Sequence, residues 1–176
     1  SCVATAAAAG AVTYYVAGTN AALAISAALA ETPRSGRHID VSLRDGVIAV
    51  QSAWNALAFA EGKQPERVGT ASPYVAPSQV FEAVDGHFTL AVVSDRHFRV
   101  LADTLGMPEL VDSYPSNDVR MAKRDTLARK LTSVFKMETA DHWVTVLGEA
   151  GLPVGHVLTL IEALTDPQAR HNEMTV

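Results

Sequence analysis

The sequence predicts an α/β protein in which helices outnumber strands, and three features of the chain support this class. Apolar residues recur at helical spacing in several segments, most clearly over 98–105 and 127–134. Two β-rich runs flank Asp85-Gly86, a dipeptide typical of a hairpin turn. Apolar residues make up 48% of the 176 residues, which is enough to form a buried core.

The first 30 residues carry no charge and are mostly alanine and other small residues. This stretch is long enough to cross a bilayer, but it contains only three Leu, Ile or Phe residues and no basic start. We therefore favour a small-residue helix packed against other protein over a transmembrane segment or a signal sequence. The pattern over 19–31 predicts that helix, which ends before Pro33. Because such an uncharged helix needs other protein around it, and because the first residue is not Met, the sequence indicates a fragment of a longer protein.

The middle of the chain is predicted to pass from a helix into a long loop. Residues 38–43 alternate apolar and polar side chains, which indicates a short strand or an extended segment. An apolar stripe predicts a helix over 45–61 that ends at Gly62. Residues 62–79 contain three prolines and two glycines without any periodicity. Because long loops in compact domains are often functional, this segment is a candidate site.

The last part of the chain is predicted to be a hairpin followed by helices. After the hairpin, Ser94 can cap a helix that Gly106 ends. Helices are predicted over 117–137 and 140–150, and an extended segment is predicted over 152–160. Thr159 and Glu162 match a capping box that opens a final short helix, which Pro167 breaks or kinks.

Composition excludes several classes of function. A net charge of −5 argues against nucleic acid and anionic membranes as partners, because both require a basic face. Cys2 is the single cysteine, so an internal disulfide is excluded and a reducing cytoplasm is favoured. The six histidines show no metal-ligand spacing, so no metal site is predicted. Ser94, Asp95 and His97 lie too close together on one turn to form a catalytic triad.

Several segments resemble the family III CoA-transferases, the CaiB/BaiF family that includes formyl-CoA transferases and α-methylacyl-CoA racemases. The motifs are SGRHIDVSLRDG, RVGTASPYVAPSQVFEAVDGHFTLAV, LGMPEL and HWVTVLGEAGLPVGHVLTLIEALTDPQARHNEM. They occur in the family's order over nearly the whole chain, which makes the resemblance specific.

The resemblance implies a fold in which two identical subunits interlock, each with a Rossmann-like CoA-binding domain and a smaller domain. The fold class is then α/β, as a fragment of the family III CoA-transferase fold. Residues 1–45 would form the end of the large CoA-binding domain, 46–78 a linker helix and loop, and 79–176 a small α+β domain. The uncharged helix would be covered by the first half of the enzyme and by the partner subunit of a cytoplasmic homodimer.

The resemblance also implies CoA transfer between an acyl-CoA and a carboxylic acid, with the CoA thioester as substrate and no permanently bound cofactor. In the family, an aspartate four residues before the glycine matching Gly18 attacks the thioester. Tyr14 occupies that position here, and no Asp or Glu occurs before Glu31. A phenol is mostly protonated at neutral pH and forms a less reactive ester, so Tyr14 is not an obvious substitute. Its other interpretation is an aromatic residue packed at the start of a helix.

The long loop keeps more of the family's pattern. The family's loop closes over the active site and contacts the acyl group, while the alternative is a plain connecting loop whose prolines fix its path. Thr70, Ser72 and Ser78 replace the usual Asn, His and Tyr. The residues that would form the substrate loop are Ser72, Pro73, Tyr74, Ala76, Pro77 and Ser78.

Asp95 matches a carboxylate found in the racemase relatives, and its alternative role is to stabilise a helix N-terminus. Three functions therefore remain open. The chain is a truncated or divergent CoA-transferase whose nucleophilic aspartate is missing, an epimerase like the α-methylacyl-CoA racemases, or a non-catalytic scaffold or dimerisation remnant. We expect the isolated chain to be inactive in CoA transfer and to self-associate through its first 30 residues.

Overall fold

The structure, a computed structural model, describes residues 2–33, 35–64 and 66–174, with side chains from residue 10 onward. The chain divides into two compact units, Ser1–Arg67 and Val68–Val176, which we call the first and second units.

The first unit contains three helices: α1 (Cys2–Ala30), α2 (Leu43–Val50) and α3 (Ser52–Glu61). The sequence predicted the start of α1 too late because alanine favours a helix without needing an apolar stripe. Residues 38–42 form no strand, and Ser42 in extended conformation caps α2 by accepting from the Asp45 amide. The helix predicted over 45–61 is interrupted at Gln51, and it ends as expected at Gly62 in the left-handed conformation.

Most of the α1 side chains that the structure describes are exposed. Among residues 10–30 only Ala17 is buried. Where α1 contacts α2, a β-carbon added at Gly46 would lie 3.2 Å from Val16 Cγ1, so this glycine permits a close approach. By length and composition alone, Gly10–Ala30 could also cross a membrane. On α1 the exposed large apolar residues are Val12, Tyr14, Tyr15, Leu23, Ile25 and Leu29.

The second unit is a three-stranded antiparallel sheet, in the order β1-β2-β3, packed with short helices. Its elements are β1 (Ser78–Glu82), β2 (His87–Ala91), α4 (Asp95–Thr104), α5 (Glu109–Ser113), α6 (Asn117–Ala122), α7 (Arg124–Phe135), α8 (Ala140–Glu149), β3 (Val154–His156), α9 (Leu160–Thr165) and α10 (Pro167–His171).

Aromatic rings at the centre of the second unit join its sheet to its helices. The centre of the Phe135 ring lies 5.0 Å from the centres of the Phe81 and Phe88 rings, and it meets each of them in an edge-to-face arrangement. The centre of the Trp143 ring lies 5.2 Å from that of Phe135, and Trp143 Nε1 donates to the Phe135 carbonyl at 2.8 Å. This arrangement buries the aromatic rings and satisfies the indole donor at the same time.

Most short-range predictions for the second unit are confirmed. The hairpin forms with Phe81 opposite Phe88, and Ser94 caps α4 by accepting from the His97 amide at 3.1 Å. The capping box between Thr159 and Glu162 is present. The prediction of one continuous helix over 117–137 is wrong, because the segment is divided at residue 123 into α6 and α7. The extended segment after α8 pairs with β2 as a third strand, which the sequence did not predict.

Candidate functional site

The predicted substrate loop, residues 72–78, folds on itself through a serine side chain. Ser72 Oγ accepts from the backbone amides of Tyr74 at 3.2 Å and Val75 at 3.4 Å. The Ser72 amide donates to the Ser78 carbonyl at 2.8 Å, which closes the loop across its base. This hydroxyl-capped turn gives the loop a defined shape, and Ser78 itself is the first residue of β1.

Two side chains from α6 attach this loop to the rest of the second unit. Asn117 Oδ1 accepts from the Ala76 amide at 3.2 Å, and Asn117 Nδ2 donates to the Tyr74 carbonyl at 2.9 Å. Arg120 Nε donates to the Ala76 carbonyl at 2.7 Å. Both polar groups of the Ala76 backbone are therefore bonded to side chains one helical turn apart.

Arg120 is a buried charge whose donors point in several directions. Its residue is 1% exposed, and its Nη1 donates to the Tyr114 carbonyl at 3.3 Å. Nη2 donates to Asp95 Oδ1 at 2.6 Å, and the guanidinium carbon lies 4.6 Å from the centre of the Phe98 ring. A buried cation needs this kind of counter-charge and full hydrogen bonding to be tolerated.

The structure therefore connects Asp95 with the loop, through Arg120. The sequence suggested that Asp95 stabilises the start of α4 or acts as a racemase-type carboxylate. It is the first residue of α4, and its side chain, which is 52% exposed, carries the ion pair that balances Arg120. Asn117 and Arg120 were not singled out from the sequence. Their spacing of three residues on a helix, which places two polar side chains on one face, is the signal that could have drawn attention to them.

The predicted loop residues differ in what they can offer to a ligand. Ala76 and Pro77 are buried, so their side chains support the loop from inside. Tyr74 is 42% exposed, and it is the loop residue whose large side chain reaches the surface. The other three predicted residues, Ser72, Pro73 and Ser78, are half-buried, so Tyr74 is the exposed member of the predicted set.

Tyr14, which the resemblance predicts at the position of the family's nucleophile, lies in the first unit on α1. It is a mid-helix residue and is 70% exposed, so the expectation that it packs at the start of a helix is wrong. Among the residues that the structure describes, no group of three or more His, Cys, Asp or Glu side chains could hold a metal ion.

Asp85, expected to serve only as a turn residue, has a second contact. Its Oδ1 accepts from the Ala140 amide at 2.8 Å, at the start of α8. The hairpin turn is thereby bonded to a helix 55 residues further along the chain. This contact places a carboxylate at the N-terminus of α8, where a negative charge is favourable, and joins the hairpin to that helix.

Comparison with known proteins gives one consistent family. A family model described as CoA-transferase family III matches residues 4–176. The acetyl-CoA:oxalate CoA-transferase of Acetobacter aceti is 37% identical over 156 residues, which cover 86% of this chain and 40% of that protein. The succinate–glutarate CoA-transferase of Agrobacterium fabrum is 32% identical over 158 residues, which cover 87% of this chain and 39% of that protein.

A solved structure shows the same fold. The crystal structure of a CaiB/BaiF family protein from Brucella suis superposes with a TM-score of 0.73 at 32% identity, and covers 92% of this chain and 44% of that one. The chain thus spans about two fifths of the length of the curated relatives it matches.

Proposed function

The chain belongs to CoA-transferase family III, and on that premise we propose that its function is CoA transfer from an acyl-CoA to a carboxylic acid. The family match over residues 4–176 carries this proposal. In the reaction, the acyl-CoA and a free carboxylate exchange CoA, so that a new acyl-CoA and the carboxylate of the first acyl group are released. The CoA thioester is a substrate in this scheme, and no permanently bound cofactor takes part.

The acceptor that we propose is a small dicarboxylic acid. The names of the relatives from Acetobacter aceti and Agrobacterium fabrum give oxalate and glutarate as partners in the exchange. Both compounds have two carboxyl groups, and a dicarboxylate keeps one charge after the other is converted to a thioester. That second charge is the feature by which a binding site can distinguish these acids from simple fatty acids.

We propose further that the isolated chain does not catalyse CoA transfer. Tyr14 stands where the family has its nucleophilic aspartate, and a phenol is a poor replacement at neutral pH. The exposed apolar side chains of α1 support the proposal that further protein covers this helix, as in a cytoplasmic homodimer of the longer family members. The isolated chain would then be a truncated or divergent member rather than a complete catalyst.

The epimerase alternative is less well supported by the site. Its candidate acid–base group, Asp95, is engaged with Arg120 at 2.6 Å and balances a buried charge. Its Oδ1 is already the hydrogen-bond acceptor for a buried guanidinium, and this structural contact competes with the proton transfer to substrate that an acid–base group must carry out. The non-catalytic alternative, a scaffold or dimerisation remnant, is supported by the absence of an Asp or Glu before Glu31, and it predicts that CoA is not transferred.

The decisive experiment follows a carbon label between acids. The purified chain and the complete protein encoded by its gene are each incubated with acetyl-CoA and labelled oxalate or glutarate, and labelled acyl-CoA is separated by chromatography. We expect label in CoA thioesters only with the complete protein. Label transfer by the purified chain would contradict its predicted inactivity. If the complete protein transfers no label but exchanges the α-proton of a 2-methylacyl-CoA with deuterium, the epimerase alternative is correct.

A further inference from the structure

The peptide group at Ala76 is held on both sides by one short helix. Its N–H donates to Asn117 Oδ1 at 3.2 Å and its C=O accepts from Arg120 Nε at 2.7 Å. Asn117 also donates to the Tyr74 carbonyl at 2.9 Å, so α6 makes three side-chain hydrogen bonds to the loop backbone. These bonds join residues 41 to 44 positions apart in the chain.

The two α6 side chains contribute in different ways. Asn117 offers one acceptor and one donor, and both are used on the loop. Arg120 is fixed by its own surroundings, because Asp95, the Tyr114 carbonyl and the Phe98 ring surround its guanidinium. A buried guanidinium that is bonded on several sides is costly to move, so it offers the loop a rigid donor.

The turn inside the loop and the attachment of the loop are separate features. The Ser72 hydroxyl fixes the shape of the turn by accepting from the Tyr74 and Val75 amides. The α6 side chains fix where that turn lies on the second unit. Losing an α6 bond should therefore release the loop without unfolding its turn, and the backbone that carries Tyr74 should lose its fixed position.

We propose that Asn117 and Arg120 are positioning residues for the candidate active-site loop and that they determine where Tyr74 is presented to a ligand. The inference rests on the proposed function, because the position of the loop matters for chemistry only if the loop lines the acyl site. Neither residue contacts substrate in this scheme. They act through the backbone of residues 74 and 76, and Asp95 acts on the loop only through Arg120.

The test compares amide hydrogen exchange in the whole chain, resolved to single residues by fragmentation mass spectrometry. Asn117→Ala removes the acceptor of the Ala76 amide, and we expect that amide to exchange roughly three- to tenfold faster. Amides inside α7, such as that of Leu131, should keep their rates. Asp118→Ala is the matched control, because Asp118 is the exposed neighbour on the same helical turn. It should leave the Ala76 rate unchanged.

Two further variants make the result specific. Asn117→Asp keeps an acceptor for the Ala76 amide, so it should preserve most of the protection that Asn117→Ala removes. Arg120→Lys keeps the charge but has a single donor group, so it should also speed exchange in the loop. Should Asn117→Ala fail to fold, Asn117→Ser, which keeps a shorter hydroxyl at this position, replaces it with the same expectation.

Two results would overturn the inference. One is an Ala76 rate that does not change in Asn117→Ala, and the other is an equal acceleration at Ala76 and Leu131, which would mean general destabilisation. The exchange measurement contains no substrate, so its outcome is independent of the label-transfer experiment. A failed transfer reaction with a released loop in Asn117→Ala would reject the proposed function and leave the positioning role standing.

Discussion

The two units of this chain differ in where their apolar side chains lie. In the second unit, phenylalanine and leucine side chains such as Phe88 and Leu131 are fully buried. In the first unit, leucine, isoleucine and tyrosine side chains of α1 such as Leu23 and Tyr15 are more than half exposed. The second unit therefore has its own hydrophobic core, although α9 leaves Leu160 and Ile161 about three quarters exposed. In the first unit the exposed apolar side chains of α1 have no comparable core beside them among the described residues, so we expect other protein or lipid to cover them.

The largest expected effect comes from separating the units. We expect the whole chain to self-associate in size-exclusion chromatography, because α1 exposes a long apolar surface. A chain of residues 68–176 should elute as a monomer and unfold cooperatively, since it keeps the aromatic core around Phe135.

Two outcomes would break the comparison between the units. A monodisperse monomer of the whole chain in water would show that α1 does not need cover. Failure of residues 68–176 to unfold cooperatively would show that the second unit depends on the first. If mild detergent or lipid vesicles alone disperse the whole chain, lipid becomes the better candidate for the cover of Gly10–Ala30.

The next effect is a core truncation. Phe135→Ala removes a fully buried ring that contacts Phe81, Phe88 and Trp143, and it should lower the free energy of unfolding by about 3–5 kcal/mol. Tyr15→Ala on α1, where the residue is 78% exposed, should change it by less than about 0.5 kcal/mol. Urea unfolding measures the free energy of unfolding of each variant. Equal losses in the two variants would contradict the assignment of a core to the second unit only.

Sequence patterns predicted the local features of the second unit and missed the distant ones. The hairpin at Asp85-Gly86, the Ser94 cap and the Thr159 capping box each depend on residues a few positions apart, and all three formed. No glycine or proline marks the breaks at Gln51 and Lys123, so apolar periodicity ran through both of them.

The site could be predicted only in part, for the same reason. The loop was identified from its prolines and from the family resemblance. Its attachment through Asn117 and Arg120 joins segments more than 40 residues apart. The three-residue spacing of these side chains marks a polar helix face, but a single sequence does not indicate which distant segment that face contacts. In the first unit, the alanine-rich α1 gave no apolar stripe, so its length was underestimated, and the cover of this helix by further protein stays a prediction.

A smaller effect tests the buried ion pair of the second unit. Asp95→Ala leaves the buried Arg120 guanidinium without its carboxylate, and we expect a loss of about 1–2 kcal/mol because the Asp95 side chain is half exposed to water. The matched control is Glu31→Ala in the first unit, which removes an ion pair with Arg37 in which both side chains are about half exposed. That control should change the stability by about 0.5 kcal/mol or less. If urea unfolding shows a larger loss of stability in Glu31→Ala than in Asp95→Ala, the comparison between the two ion pairs is reversed.

The smallest effect is a dependence on pH that belongs to the second unit. The hydrogen bond from Lys136 to Glu82, at 2.7 Å, holds the pKa of the Glu82 carboxyl below its usual value of 4.5. The unfolded chain therefore binds the proton more readily than the folded one, and stability rises with pH in that range. The contribution of Glu82 to stability is complete above the unfolded pKa and disappears as the pH falls through the folded pKa.

Glu82→Gln removes the titrating group. The thermal midpoint of this variant should fall less steeply than that of the original chain between pH 5 and pH 3, a window of about one unit around the usual carboxyl pKa. Glu149→Gln, which removes another exposed carboxylate of the second unit, should keep the original slope. If both variants flatten the slope equally, net charge rather than the Lys136 contact causes the acid sensitivity.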